Sequence, residues 1–166
     1  MLGKLELRHL RGPDAPTQPG WEISFGETGN RSQFLIELIE TVPEGAVIDV
    51  EHGIDDTHVT QLKPFVCYWR PARWFRSAVL GIVISKESRP LLKRVIQRVS
   101  LERQWESIKI FKDDAVFFDS HDGMYDSGPF LSSILTEAFV QSLEEKGIIT
   151  KSCWFEPERK ARSAPK

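Results

Sequence analysis

The chain has 166 residues, of which 40% are hydrophobic and 28% charged, and its formal net charge is −2. Those fractions belong to an ordinary globular domain with a core of its own, which excludes a disordered or membrane-embedded chain, and the near-balanced charge excludes a generally basic nucleic-acid binder. The two cysteines, Cys67 and Cys153, form no Cys-x-x-Cys pair, which excludes a zinc knuckle, a thioredoxin-type site and a disulfide framework.

Taken in chain order, Leu5 and Leu7 alternate with Lys4, Glu6 and Arg8, and Trp21, Ile23 and Phe25 alternate with Glu22 and Ser24, so each set reads as a strand. The stretch from Gly12 to Gly20 between them, rich in proline and glycine, is a loop. A helix is expected from about Ser32 to Thr41, with Phe34, Leu35, Leu38, Ile39 and Val42 as its buried stripe and Pro43-Glu44-Gly45 as its stop. Ala46–Glu51 reads as a strand, and Asp55 or Asp56 is placed to cap a short helix carrying Val59 and Leu62. Phe65–Phe75 is aromatic and has no clear period. Ala78–Ile84 is a continuous apolar run, expected as a central strand covered on both faces. Ser88 then stands as an N-cap before Pro90, and Leu91, Leu92, Val95, Ile96 and Val99 form one helical face.

Ile108–Ile110 and Val116–Asp119 read as a hairpin turning at Lys112-Asp113-Asp114. The spacing of Phe130, Leu131, Ile134, Leu135, Ala138, Phe139 and Leu143 predicts a last helix closed by Gly147, with Ile148 and Ile149 as a final strand. Together these elements predict an α+β fold: a mixed β-sheet with about three main amphipathic helices packed on it, one domain over residues 1–155, and a disordered tail over 156–166. Neither a signal peptide nor an apolar run long enough for a membrane span occurs, so the expected compartment is the cytoplasm.

Several constellations carry candidate chemistry. Gly26-Glu27-Thr28-Gly29-Asn30-Arg31-Ser32 lies between a strand and a helix, the setting of a phosphate-binding loop, but only two residues separate its glycines and Arg31 stands where the loop needs lysine. The bland reading, a glycine turn ending in a helix cap, is preferred. His52, Asp55 and His58 with neighbouring carboxylates are candidate metal ligands, without a recognised ligand spacing. Ser120-His121-Asp122 has the residue types of a hydrolytic triad, yet consecutive residues do not converge as a triad does. No cofactor is expected.

Charge is segregated along the chain. Residues 70–103 carry nine cations against Glu87 and Glu102, a net +7, while residues 113–145 carry eight carboxylates and no cation. Either the two segments pair internally or each faces a partner. Within the basic segment, Trp69, Arg73 and Trp74 are the residue types that protein interfaces favour as anchors; in the acidic one, Asp119, Asp122 and Asp126 form an aromatic, acidic loop.

The segment Val42-Pro43-Glu44-Gly45-Ala46-Val47-Ile48-Asp49-Val50-Glu51-His52-Gly53, with Phe117–Gly128 further on, resembles small bacterial single-domain proteins of unassigned function. In those, a helix ends in Leu-Pro-Glu-Gly, a strand ending Leu-Glu-Gly follows, and a late acidic loop precedes the final helix. This chain departs from the pattern at His52 and over Phe65–Arg76. The resemblance implies an architecture and brings no activity with it. In general format the chain is also similar to immunity or antitoxin-like proteins. The expected function is therefore a non-enzymatic protein-binding domain that masks another protein, through Asp119, Asp122 and Asp126 on one face and Trp69, Arg73 and Trp74 on another. Nucleic acid and membrane are disfavoured as partners. The alternative is a small metal- or ligand-binding enzyme using His52, Asp55 and His58.

Overall fold

The computed structural model describes residues 18–53, 58–71, 77–121, 124 and 128–157. The strand read at Leu5–Leu7, the caps Asp55 and Asp56, and most of the tail lie outside the described residues.

Eight strands build one sheet: β1 Gly20–Ser24, β2 Val47–Gly53, β3 Val66–Pro71, β4 Ser77–Val83, β5 Trp105–Lys112, β6 Ala115–Ser120, β7 Phe130–Ser132 and β8 Lys151–Phe155. Their order is β3-β4-β2-β5-β6-β7-β1-β8, and every neighbouring pair is antiparallel. Four α-helices accompany them among the described residues, α1 Arg31–Thr41, α2 Arg89–Ile96, α3 Leu101–Gln104 and α4 Glu137–Glu145, with a 3-10 segment at His58–Phe65. The expected mixed sheet with about three helices is thus corrected to a wholly antiparallel, eight-stranded one.

The reason lies in the connections. A strand, a helix and a second strand ordinarily make a parallel pair. Here β4 and β5, joined through α2 and α3, do run the same way, but β2 is inserted between them. Likewise β1 is inserted between β7 and β8, which α4 connects. Insertion converts each would-be parallel neighbour into two antiparallel ones.

Strand alternation assigns the two faces. Ile23, Ile48, Val50, Leu80, Ile82, Ile108, Ile110, Phe118 and Leu131 share one buried cluster with Phe34, Leu35, Leu38 and Ile39 of α1, Leu92, Val95 and Ile96 of α2, and Val140 and Leu143 of α4. Each such side chain, once fully buried, stabilises the fold by about 1.5–3 kcal/mol. The opposite parity carries Glu22, Asp49, Glu51, Tyr68, Arg70, Lys109 and Asp119, and its buried Val79 and Phe130 stand outside that cluster. The described helices therefore pack on one face.

Local chemistry sets the helix ends. Asn30 caps α1 by accepting from the Gln33 N–H at 2.9 Å, and beyond α1 Gly45 takes a φ of +82°. The Arg89 guanidinium donates to the carbonyls of Ile39 and Val42, both at 2.9 Å, tying α2 to the end of α1. Ser88 precedes α2 as expected but does not cap it; its hydroxyl donates to the Val83 carbonyl at 2.7 Å.

Three further expectations change. Ser77–Val83 is buried on both faces but lies one place in from the border. Phe130 and Leu131 belong to β7, since α4 begins only after the Thr136 cap, which accepts from the Phe139 N–H at 3.3 Å. Ile148 and Ile149 turn into the core behind Gly147 at φ +67°, and β8 starts at Lys151. No described helix is long and apolar enough to cross a membrane.

Candidate functional site

The helix-free face places charged side chains in register. Gly81 of β4 has Tyr68 of β3 on one side and Asp49 of β2 on the other. A Cβ at Gly81 would lie 2.8 Å from the Tyr68 Cδ1 and closer still to the rest of the ring edge. With only hydrogen there, the ring lies across β4 and its hydroxyl donates to Asp49 Oδ1. The Arg70 guanidinium stands 3.9 Å from Asp49 Oδ2. One step along β2, Glu51 accepts from Ser77 Oγ at 3.1 Å and from Ser107 Oγ at 3.2 Å, bridging β4 and β5. From Asp49 the row continues through Lys109, Asp119, Phe130, Glu22 and Cys153 to the far border.

Burial holds the Asp49 carboxyl above its ordinary value, against the lowering effects of the Tyr68 hydrogen bond and the charges of Arg70 and Lys109. Tyr68 is pushed up as well, first by burial and then by its bond to Asp49. At neutral pH Tyr68 is therefore a neutral donor. Because the folded pKa of Asp49 exceeds the unfolded one, its contribution is most favourable below the ordinary Asp range and is lost as pH rises through the folded value. Asp49→Asn keeps an acceptor for Tyr68. It is expected to be more stable than wild type at pH 7, with the difference vanishing at about pH 3, below the ordinary Asp pKa. Urea denaturation at both pH values measures this, and an equal difference at both contradicts it.

The residues predicted from sequence fall in separate places. Asp119 lies in β6 opposite Lys109, and His121 Nε2 is 3.8 Å from its carboxylate. Asp122 and Asp126 lie outside the described residues, as do Arg73 and Trp74. Trp69 is on β3 with the parity of the helix face and is 62% exposed. It stands four strands from Asp119, roughly 19 Å at strand spacing. Among the described candidates, Asp119 and Trp69 are therefore apart.

Of the basic segment, Arg70 pairs with Asp49 and Lys93 with Glu40, and neither acid belongs to the acidic segment. His52 is 5% exposed in the sheet interior, opposite Trp105, whereas His58 opens the 3-10 segment. Asp55 lies outside the described residues, and among those described no group of three His, Cys, Asp or Glu residues is placed to hold a metal. Ser120 is fully buried while His121 points to solvent, so the pair diverges. Cys67 and Cys153 are free, on opposite borders of the sheet, too far apart to pair within one chain.

A cleft of about 350 Å³ is lined by Thr28–Ser32 and Val99–Leu101, which places the glycine segment at its wall. Arg31 there donates through Nε to the Met124 carbonyl at 3.0 Å and lies 5.2 Å from the centre of the Phe25 ring. Those contacts give it a structural task, in keeping with the turn-and-cap reading.

Sequence reading missed the Tyr68–Asp49–Arg70 cluster. The alternation of Asp49 and Glu51 with Ile48 and Val50 signalled a charged strand face, but the partners come from strands whose pairing is not written locally. Comparison with known proteins finds no matching family model, no matching curated protein and no matching solved structure.

Proposed function

We propose that the chain is a non-enzymatic protein-binding domain of immunity or antitoxin type, which masks another protein through charge-complementary contacts. The observation that carries the reading is Trp69, 62% exposed on a border strand beside Arg70. Tryptophan and arginine are the side chains that most often anchor interfaces, and an indole held in water gains most from being covered. Asp119, on the opposite, helix-free face, is taken with Asp122 and Asp126 as a second, acidic contact.

Replacing Asp119, Asp122 and Asp126 together by Asn is expected to weaken partner binding roughly tenfold at low salt and to flatten its salt dependence, since exposed charge pairs contribute up to about 1 kcal/mol each. Titration calorimetry at two salt concentrations reads both quantities. Unchanged affinity with unchanged salt dependence would remove the acidic residues from the contact.

A further inference from the structure

β3 forms one border of the sheet, so one side of its backbone pairs with β4 and no described strand lies along the other. An open border offers a row of N–H and C=O groups to any extended chain, and proteins blunt such borders with lysine, proline, short strands or a covering element. The two borders of this sheet differ in that respect. β8 opens with the exposed Lys151, and its Trp154, though 55% exposed, packs edge-on against Trp21 with ring centres 5.0 Å apart. β3 contains no lysine and meets proline only at its last residue, Pro71. It displays Trp69 on one face and, on the other, Arg70 with 62% of its side chain exposed despite the pairing with Asp49.

Resting on the protein-binding reading, we infer that β3 is the docking edge, and that the partner presents an extended segment which adds to it as a further strand. Backbone hydrogen bonds supply affinity in that mode, and alternate side chains supply selection. Arg70 is the single charged side chain of β3 and selects an acidic residue on its face of the incoming strand. Trp69 selects an aromatic or branched apolar residue on the other face. A second copy of this chain fits less well, because Val66–Pro71 has no acidic residue to offer Arg70.

The test is a display selection of short linear random peptides on the full chain, followed by affinity and amide hydrogen exchange measurements with the synthesised winner. The winners are expected to alternate Asp or Glu with Trp, Phe, Ile or Val and to slow exchange along Val66–Arg70. Trp69→Lys should weaken binding about tenfold or more, and Arg70→Gln about threefold. Trp69 is exposed, so Trp69→Lys should leave the thermal midpoint in place.

Peptides that leave β3 exchange unchanged, or that ignore both substitutions, overturn the docking edge while the protein-binding reading stands. So does capture of a native protein partner by the Trp69→Lys chain at wild-type strength. A concentration-dependent dimer abolished by Trp69→Lys overturns it in favour of a second copy. Absence of both peptide binding and a native protein partner defeats the protein-binding reading as well.

Discussion

Replacing Phe34 by alanine is expected to lower the unfolding free energy by about 3–5 kcal/mol, the range for deleting a fully buried phenyl ring. Phe34 is completely buried on α1, with its ring 5.2 Å from Phe25, which follows β1, and 5.1 Å from Phe118 of β6. It therefore joins α1 and the end of β1 to the distant β6, and the surrounding sheet has little freedom to collapse into the space. Phe118 immediately precedes Asp119, so the change also loosens the strand that carries that charge. Urea denaturation measures the loss, and a cost under about 1 kcal/mol would mean that the core closes around the gap.

Gly29→Ala is the second large effect, expected to cost at least about 3 kcal/mol, the upper end of the overpacking range. A Cβ there would lie 2.7 Å from the Phe25 Cα and closer still to the Phe25 carbonyl oxygen, so backbone rather than a flexible side-chain tip must move. Gly147→Ala is the comparison: nothing lies within 4 Å of its Cβ position, and the φ of +67° alone sets a cost of about 1–2 kcal/mol. If Gly29 is a packing requirement, added inorganic phosphate leaves the difference between wild type and Gly29→Ala unchanged. Phosphate stabilising wild type selectively would instead restore the anion-binding reading of Gly26–Ser32.

The helices legible in the sequence were those whose period and stop signals agree. Phe34, Leu35, Leu38 and Ile39 repeat at helical spacing before Pro43-Glu44-Gly45, and α1 ends there. The Ile108–Asp119 hairpin was equally legible, with Asp113 at φ +52° in its turn. Where an apolar spacing crossed a boundary, reading failed. Phe130 and Leu131 fit a helical stripe with Ile134 and Leu135, but residues 130–132 pair with β1 and β6 as a strand. Aromatic Tyr68 and Trp69 showed no period because a bulge between Val66 and Tyr68 interrupts the alternation of β3.

The candidate site was less legible for a related reason. Tyr68 and Asp49 stand 19 residues apart and meet only because Gly81 lets a ring cross the intervening strand. Insertion of β2 between β4 and β5 decides which charges become neighbours, and strand order is a property of the whole chain. Trp69 could be named from residue type alone; its exposure could not.

Binding of another protein by this chain is measured by affinity capture of the full chain from its native lysate, with gel filtration and mass spectrometry of the product. One protein is expected to co-elute in stoichiometric amount with wild type, and less of it when Asp119, Asp122 and Asp126 are changed to Asn. Elution of the chain alone, as monomer or homo-oligomer with no protein bound, would contradict it.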